Sequence, residues 1–144
     1  MTELKYIAGF LGGKATVKYK ISSRFDLIKL SKRGIPKKSL VHFATKVAGY
    51  SFKEFINFLP VSLRTLQRYK PQQNLDKVTS QYILEITALY ARGIKVFGSL
   101  EKFRFWMNNP VHALGNRNPA SLLDTFLGIN ELKDELGKIE HGIY

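Results

Sequence analysis

The sequence predicts an all-α protein with a helix-turn-helix pair at its centre, and three observations predict it. Apolar residues return at three- and four-residue steps through most of the chain from residue 24 onward. The segment SFKEFINFL pairs Ser51 with Glu54 three residues later, a capping-box signature, ahead of Phe52, Phe55, Ile56 and Leu59 at helical spacing. The segment VSLRTLQRYK, Val61 to Lys70, then sorts its residues onto two opposite faces of a short helix.

Residues 1–23 show no clean period. Lys14, Lys18 and Lys20 alternate loosely with Val17, Tyr19 and Ile21, a pattern that fits a strand and a mobile basic arm equally, and it carries no assigned function. Arg24 to Gly34 has the form of a helix closed by basic residues and a terminal glycine. Pro36 opens the next, with Leu40, Phe43, Ala44, Val47 and Ala48 on one face as far as Gly49. The helix that Ser51 caps follows, and Pro60 and Val61 join it to the Val61–Lys70 segment.

In that segment Leu63 and Leu66 fall together, while Arg64, Thr65 and Arg68 point the other way. Ser62 stands at the N-cap position, and Pro71 forbids the helix from running on. Guanidinium and hydroxyl groups bond phosphate oxygens and purine edges in the major groove, so the outer face has the chemistry of a recognition helix. A solvated surface helix has the same pattern, and the preceding helix is what favours DNA. Gln67 lies on the flank of the apolar stripe and ranks, with Lys70, below Arg64 and Arg68.

A longer helix starts near Lys77, where Tyr82, Ile83, Ile86, Leu89, Tyr90 and Phe97 recur at helical steps and form a core stripe. Gly98 ends it. Leu100 to Asn108 offers Phe103, Trp106 and Met107 as an apolar face. Asn109–Pro110 and Asn118–Pro119 are two N-cap and first-turn signals for very short helices, the first ended by Gly115. Ile129, Leu132, Leu136 and Ile139 make a narrow seam on a last helix that begins near Gly128 and stops before Gly142. Ile143 and Tyr144 form an apolar tip, which suits a partner or a fold-back contact equally.

Charge divides the chain. Residues 1–98 hold 18 Lys and Arg against 5 Asp and Glu, whereas residues 99–144 hold 5 against 6. The net +12 therefore belongs to the part with the helix-turn-helix candidate, where a polyanion partner is the natural reading. Cysteine is absent, which excludes a thiolate metal site or a cysteine nucleophile and suits a reducing cytoplasm. The first residues lack the charged region and long apolar core of a secretory signal, and no apolar run approaches the ~18 residues of a membrane span.

Catalytic signatures are missing. His42, His112 and His141 never adopt paired-ligand spacing, so no metal site is expected. Gly13–Lys14 departs from a phosphate loop at Ala8 and Ala15, and Glu101, Asp124 and Glu140 show no acid–base pairing. The chain is expected to be no enzyme and to need no cofactor.

The run from Val96 to Tyr144 resembles the C-terminal toxin-binding domain of the Xre/MbcA/ParS antitoxins, partners of RES-domain toxins. The resemblance rests on Phe97–Gly98, Trp106 followed by Pro110, Ala113–Leu114–Gly115 with Arg117 and Pro119, Leu122–Leu123–Asp124–Thr125, Gly128, and Ile139–Glu140–His141–Gly142. Ser62 to Arg68 is similar to that family's helix-turn-helix. Asn116 and Asn118 stand where the common form has glycine and threonine, and asparagine tolerates the left-handed backbone a glycine turn uses.

The resemblance does not reach residues 1–23, which are expected to be an N-terminal arm, and it implies a DNA-binding domain at 24–98 and a toxin-binding domain at 99–144. It implies an antitoxin of a type II toxin–antitoxin system, cytoplasmic in a bacterium, that occludes the active-site cleft of an NAD-consuming toxin and represses its own operon. Homo-oligomers and toxin–antitoxin hetero-oligomers are usual in the family. DNA contacts are then expected from Arg64, Thr65, Gln67 and Arg68, with Ser62 holding the helix start. Toxin contacts are expected from Trp106, Arg117, Asp124, Glu140, His141, Gly142, Ile143 and Tyr144, with Trp106 also suited to the core and Arg117 to a bond with Asp124. The competing readings are a stand-alone helix-turn-helix regulator whose C-terminal part dimerises or senses a ligand, and an RNA-binding protein using the same basic face.

Overall fold

The computed structural model describes residues 2–18 and 20–142, and it is all-α: among the described residues no strand forms. The chain divides into two compact units, Met1–Thr87 and Ala88–Tyr144.

In the first unit, α1 (Thr2–Phe10) and α2 (Lys14–Val17) occupy the stretch where the sequence suggested a strand or an arm. The helix forms because Leu4, Ile7 and Leu11 keep helical spacing and are buried, and Phe10 meets Phe43 with ring centroids 5.8 Å apart. The lysine alternation that follows is incidental to this packing. Gly12 and Gly13 turn the chain at φ +93 and +79, a region closed to most side chains.

Helix α3 (Arg24–Arg33) starts at a capping box. The Asp26 N–H donates to Ser23 Oγ, and the Ser23 N–H donates to the Asp26 carboxylate at 3.1 Å. It stops at Gly34, where φ is +92 and a Cβ would strike the Leu75 carbonyl. From there the backbone is pinned: the Leu75 N–H donates to Ile35 O at 2.8 Å, and the Ile35 N–H to Ser80 Oγ at 3.0 Å.

Helix α4 (Lys37–His42) passes into a π-helical turn at Phe43–Val47, closed by the Ala48 N–H on Phe43 O. Leu40, Phe43, Ala44, Val47 and Ala48 are all buried, as their spacing predicts. Helix α5 (Phe52–Ile56) sets Phe55 edge-on to Phe43 at 5.7 Å, and α6 (Leu63–Gln67) contributes Leu66 to the core.

Helix α7 (Lys77–Phe97) runs 21 residues, and the boundary between the units falls within it. The second unit continues with α8 (Leu100–Met107), capped by Ser99, then 3₁₀ turns at His112–Leu114 and Pro119–Leu122, and α9 (Phe126–Glu140). Two starts differ from the sequence expectation. The first short turn begins at Val111 rather than Asn109, because Val111 pairs with Arg117 in an isolated bridge. Helix α9 begins two residues before Gly128, because Thr125 Oγ1 accepts from the Gly128 N–H and so serves as N-cap. Ile129, Leu132 and Leu136 are fully buried and Ile139 partly so, as the seam predicts.

Tyr90, Phe103 and Gly93 pack closely in this unit. The Tyr90 and Phe103 rings meet edge to face at 4.9 Å, and a Cβ on Gly93 would clash with the Phe103 ring. Gly→Ala inside a helix ordinarily stabilises by about 1 kcal/mol. Here overpacking reverses the sign, and Gly93→Ala is expected to destabilise by about 1–3 kcal/mol in chemical denaturation.

Candidate functional site

Two surfaces carry the chemistry, one in each unit. In the first, α6 spans five residues rather than the full Val61–Lys70 stretch, because Arg68 already caps its C-terminus. Its start is fixed by Ser62. Ser62 Oγ accepts from the Thr65 N–H at 3.1 Å and lies 2.9 Å from Thr65 Oγ1. Leu66 is buried and Leu63 half-buried, which leaves Arg64, Thr65, Gln67 and Arg68 exposed on the outer side. The structure thus gathers the four residues expected to contact DNA, and Ser62 that holds the helix start, on one short helix and its two caps.

The exit from α6 is tied down as firmly as the entrance. Lys37 Nζ donates to Tyr69 O at 3.0 Å and sits 5.6 Å from the Phe52 ring centroid. The N–H groups of Lys37 and Lys38 donate to Gln73 O and Pro71 O. Helix α5, just before, is held by its own capping box: the Ser51 N–H donates to Glu54 Oε1 at 3.2 Å, and Ser51 Oγ accepts from the Glu54 N–H at 3.1 Å. The Ser51 side chain, and then its backbone N–H, keep the Glu54 carboxyl below its ordinary pKa.

In the second unit Trp106 is half-buried and faces Phe97 at 5.4 Å and Phe103 at 5.9 Å. It backs onto the aromatic core, as one of its two expected roles requires, and lines a cavity of 490 Å³ with Phe97, Phe105, Pro110 and Val111. Phe105 forms the rim and is 70% exposed. The expected site did not include it, although a signal existed: Phe105 lies two residues from both Phe103 and Met107, about 200° away from the buried face. Leu127, 81% exposed at the start of α9, was missed in the same way.

Arg117 closes its own loop. Its Nη1 donates to Leu114 O at 3.1 Å, and Val111 and Arg117 pair across Gly115 and Asn116, at φ +68 and +61. Asn116 therefore adopts the left-handed backbone that replaces a glycine, whereas Asn118, at φ −69, serves as cap before Pro119. Asp124 stands exposed just before α9. Glu140 accepts from Arg92 Nη2 at 3.3 Å, a half-exposed pair between the end of α9 and α7. His141 is exposed, and Gly142 turns the chain at φ +68. Ile143 and Tyr144 lie outside the described residues. The expected toxin contacts thus occupy three places: the groove, the 111–117 loop with Asp124, and the end of α9.

Residues 92–142 match the family described as the Antitoxin Xre/MbcA/ParS C-terminal toxin-binding domain. The chain is also similar to a protein named Antitoxin Xre from Yersinia enterocolitica, 32% identical over 78 residues, covering 54% of this chain and 49% of the relative. A second Antitoxin Xre, from Photorhabdus laumondii, is 35% identical over 65 residues, or 44% of each chain. The matched region is about half the length of these relatives.

The Ser51–Glu54 pair gives the α5–α6 region a signed pH dependence. A carboxyl whose folded pKa is depressed contributes stability above its unfolded value and loses it as pH falls through the folded one. Glu54→Ala is expected to lower the melting temperature at neutral pH, and the gap to wild type should narrow on acidification. A gap that stays constant across the acid range would show the capping charge to be irrelevant.

Proposed function

We propose, for a chain whose residues 92–142 are an Xre/MbcA/ParS antitoxin C-terminal domain, that the protein is the antitoxin of a toxin–antitoxin pair. The match of that segment to a toxin-binding domain carries the reading, and the groove beside Phe105 and Trp106 supports it. A rim phenylalanine left 70% exposed over an apolar cavity is the kind of aromatic anchor that dominates protein interfaces. The toxin in this reading is a RES-domain enzyme that consumes NAD. The antitoxin acts stoichiometrically, with Trp106, the loop of Arg117 and Asp124, and the chain end from Glu140 to Tyr144 meeting the toxin and covering its cleft.

The first unit has a separate job. Its exposed Arg64, Thr65, Gln67 and Arg68 read the operator of the antitoxin's own operon, and α5 with α6 forms the helix-turn-helix. The basic excess of the N-terminal 98 residues supplies the sequence-independent part of that affinity. A second reading is favoured by one observation: 490 Å³ is also within the usual size of a small-molecule site, which suits a ligand-sensing regulator.

Co-purification with the product of the adjacent gene decides between them. Wild-type chain should capture that protein and suppress NAD loss in its presence. Phe105→Asp, at an exposed site that spares folding, should weaken capture by at least about tenfold, the scale of an interface hot spot. Removal of residues 140–144 should impair neutralisation while leaving the helical content intact. Arg64→Ala with Arg68→Ala should weaken operator binding and leave capture unchanged. Capture of no partner by the wild-type chain would pass the C-terminal unit to the ligand-sensing reading.

A further inference from the structure

The first unit holds a second polar depression, of 170 Å³, that the helix-turn-helix does not use. Its chemistry comes from Thr16, Lys18, Arg33, Lys38, Gln72 and Asn74. Three cations, two amides and a hydroxyl converge there, and no carboxylate lines it. Each group is one that bonds phosphate oxygens.

The wall is built rather than incidental. Arg33 Nη2 donates to Val17 O at 2.7 Å, which fixes the guanidinium at the edge of the pocket. Lys18 sits at φ +55, a left-handed conformation that a lysine seldom adopts and that the turn after α2 imposes. The Lys38 N–H donates to Pro71 O at 2.8 Å, locking the loop that carries Gln72 and Asn74 against the start of α4. Pro71 directly follows Lys70, so this loop continues the chain out of α6, and one side of the pocket is the C-terminal extension of the recognition segment. Along the chain, Arg64, Arg68 and Lys70 therefore lead directly into the loop that lines the pocket with Arg33 and Lys38.

We propose that this pocket seats a phosphate group, and that its source is the duplex backbone flanking the bases read by α6. The proposal rests on the reading of α6 as a DNA-recognition helix. It assigns to α2, α3 and the 71–74 loop a positioning role: the seat fixes the register of α6 on the duplex and carries no base information.

The test is a salt titration of the full chain on a labelled duplex from the region preceding its own gene, read by fluorescence anisotropy. Lys18→Asn removes an ammonium while keeping a residue that tolerates the left-handed backbone, and Lys38→Gln changes an exposed side chain. Loss of one seated phosphate should make the slope of log K against log salt shallower by about 0.9, or roughly tenfold in affinity at 0.1 M salt. The preference for operator over scrambled duplex should persist. Lys95→Gln with Lys138→Gln removes the same net charge from exposed sites in the second unit and should leave the slope unchanged.

An unchanged slope in the Lys18/Lys38 variant, with wild type binding and Arg64→Ala/Arg68→Ala weakened, would overturn the seat and leave α6 standing as the reader. Absence of duplex binding by wild type would overturn the duplex source together with the reading of α6. Titration with inorganic phosphate followed by NMR separates the sources: shifts at Lys18 and Lys38 without duplex binding would assign the pocket to a free phosphate compound instead.

Discussion

The structure depends on one constraint, the need of α7 to bury an apolar surface that reaches nearly all round its middle. Tyr82, Ile83, Leu84, Ile86, Leu89, Tyr90, Ala91 and Ile94 are all removed from solvent. A helix with that pattern cannot stand at a surface, so elements must gather on it. Its first half supplies Ile83 and Ile86 to the unit that carries α6, and its second half supplies Tyr90 to the unit that carries the aromatic groove. In the second unit Gly93 is a point of close contact, where the absence of a side chain lets the Phe103 ring rest on the helix backbone. Phe103 in turn backs Trp106 and Phe97, so the wall of the groove depends on a glycine about one turn before Phe97 on α7.

Each candidate surface is held by local hydrogen bonds that satisfy otherwise orphaned backbone groups. Ser51, Ser62, Ser99 and Thr125 all accept from the N–H three residues on, and each fixes a helix start to within a residue. The cap at Ser62 matters most for the proposed DNA-reading surface, because α6 is too short to be stable alone and its outward arginines take their direction from its axis. The Lys37 bond to Tyr69 O performs the matching task at the other end. Two anchored ends make a five-residue helix a precise platform.

Charge separates the two candidate surfaces. The basic excess lies with the unit that presents Arg64 and Arg68, while the segment 99–144 is close to neutral and exposes Phe105 and Leu127. Such a division suits one surface that meets a polyanion through counterion release and another that meets a protein through apolar contact. Arg92 and Glu140, the pair that fastens the end of α9 to α7, sit where the chain leaves the helix toward its last residues. Their half-exposed contact is worth little in stability, and its consequence is positional.

The sequence by itself determined the all-α class, the faces of the long helices and the caps at Ser51 and Ser62, since these rest on periodicity and on groups three residues apart. Ser51, Ser62, Gly34, Lys77 and the seam of α9 were legible for that reason. Tertiary structure decided what depends on residues far apart in the chain. It turned residues 2–17 into helices because Phe10 finds Phe43, and it moved the first short turn to Val111 because Arg117 pairs there. It left Phe105 in solvent beside a cavity whose other walls come from Phe97, Pro110 and Val111, and it drew Lys18, Arg33 and Lys38 to one pocket with the loop after α6. Local spacing records which face a residue occupies; only packing decides what that face meets.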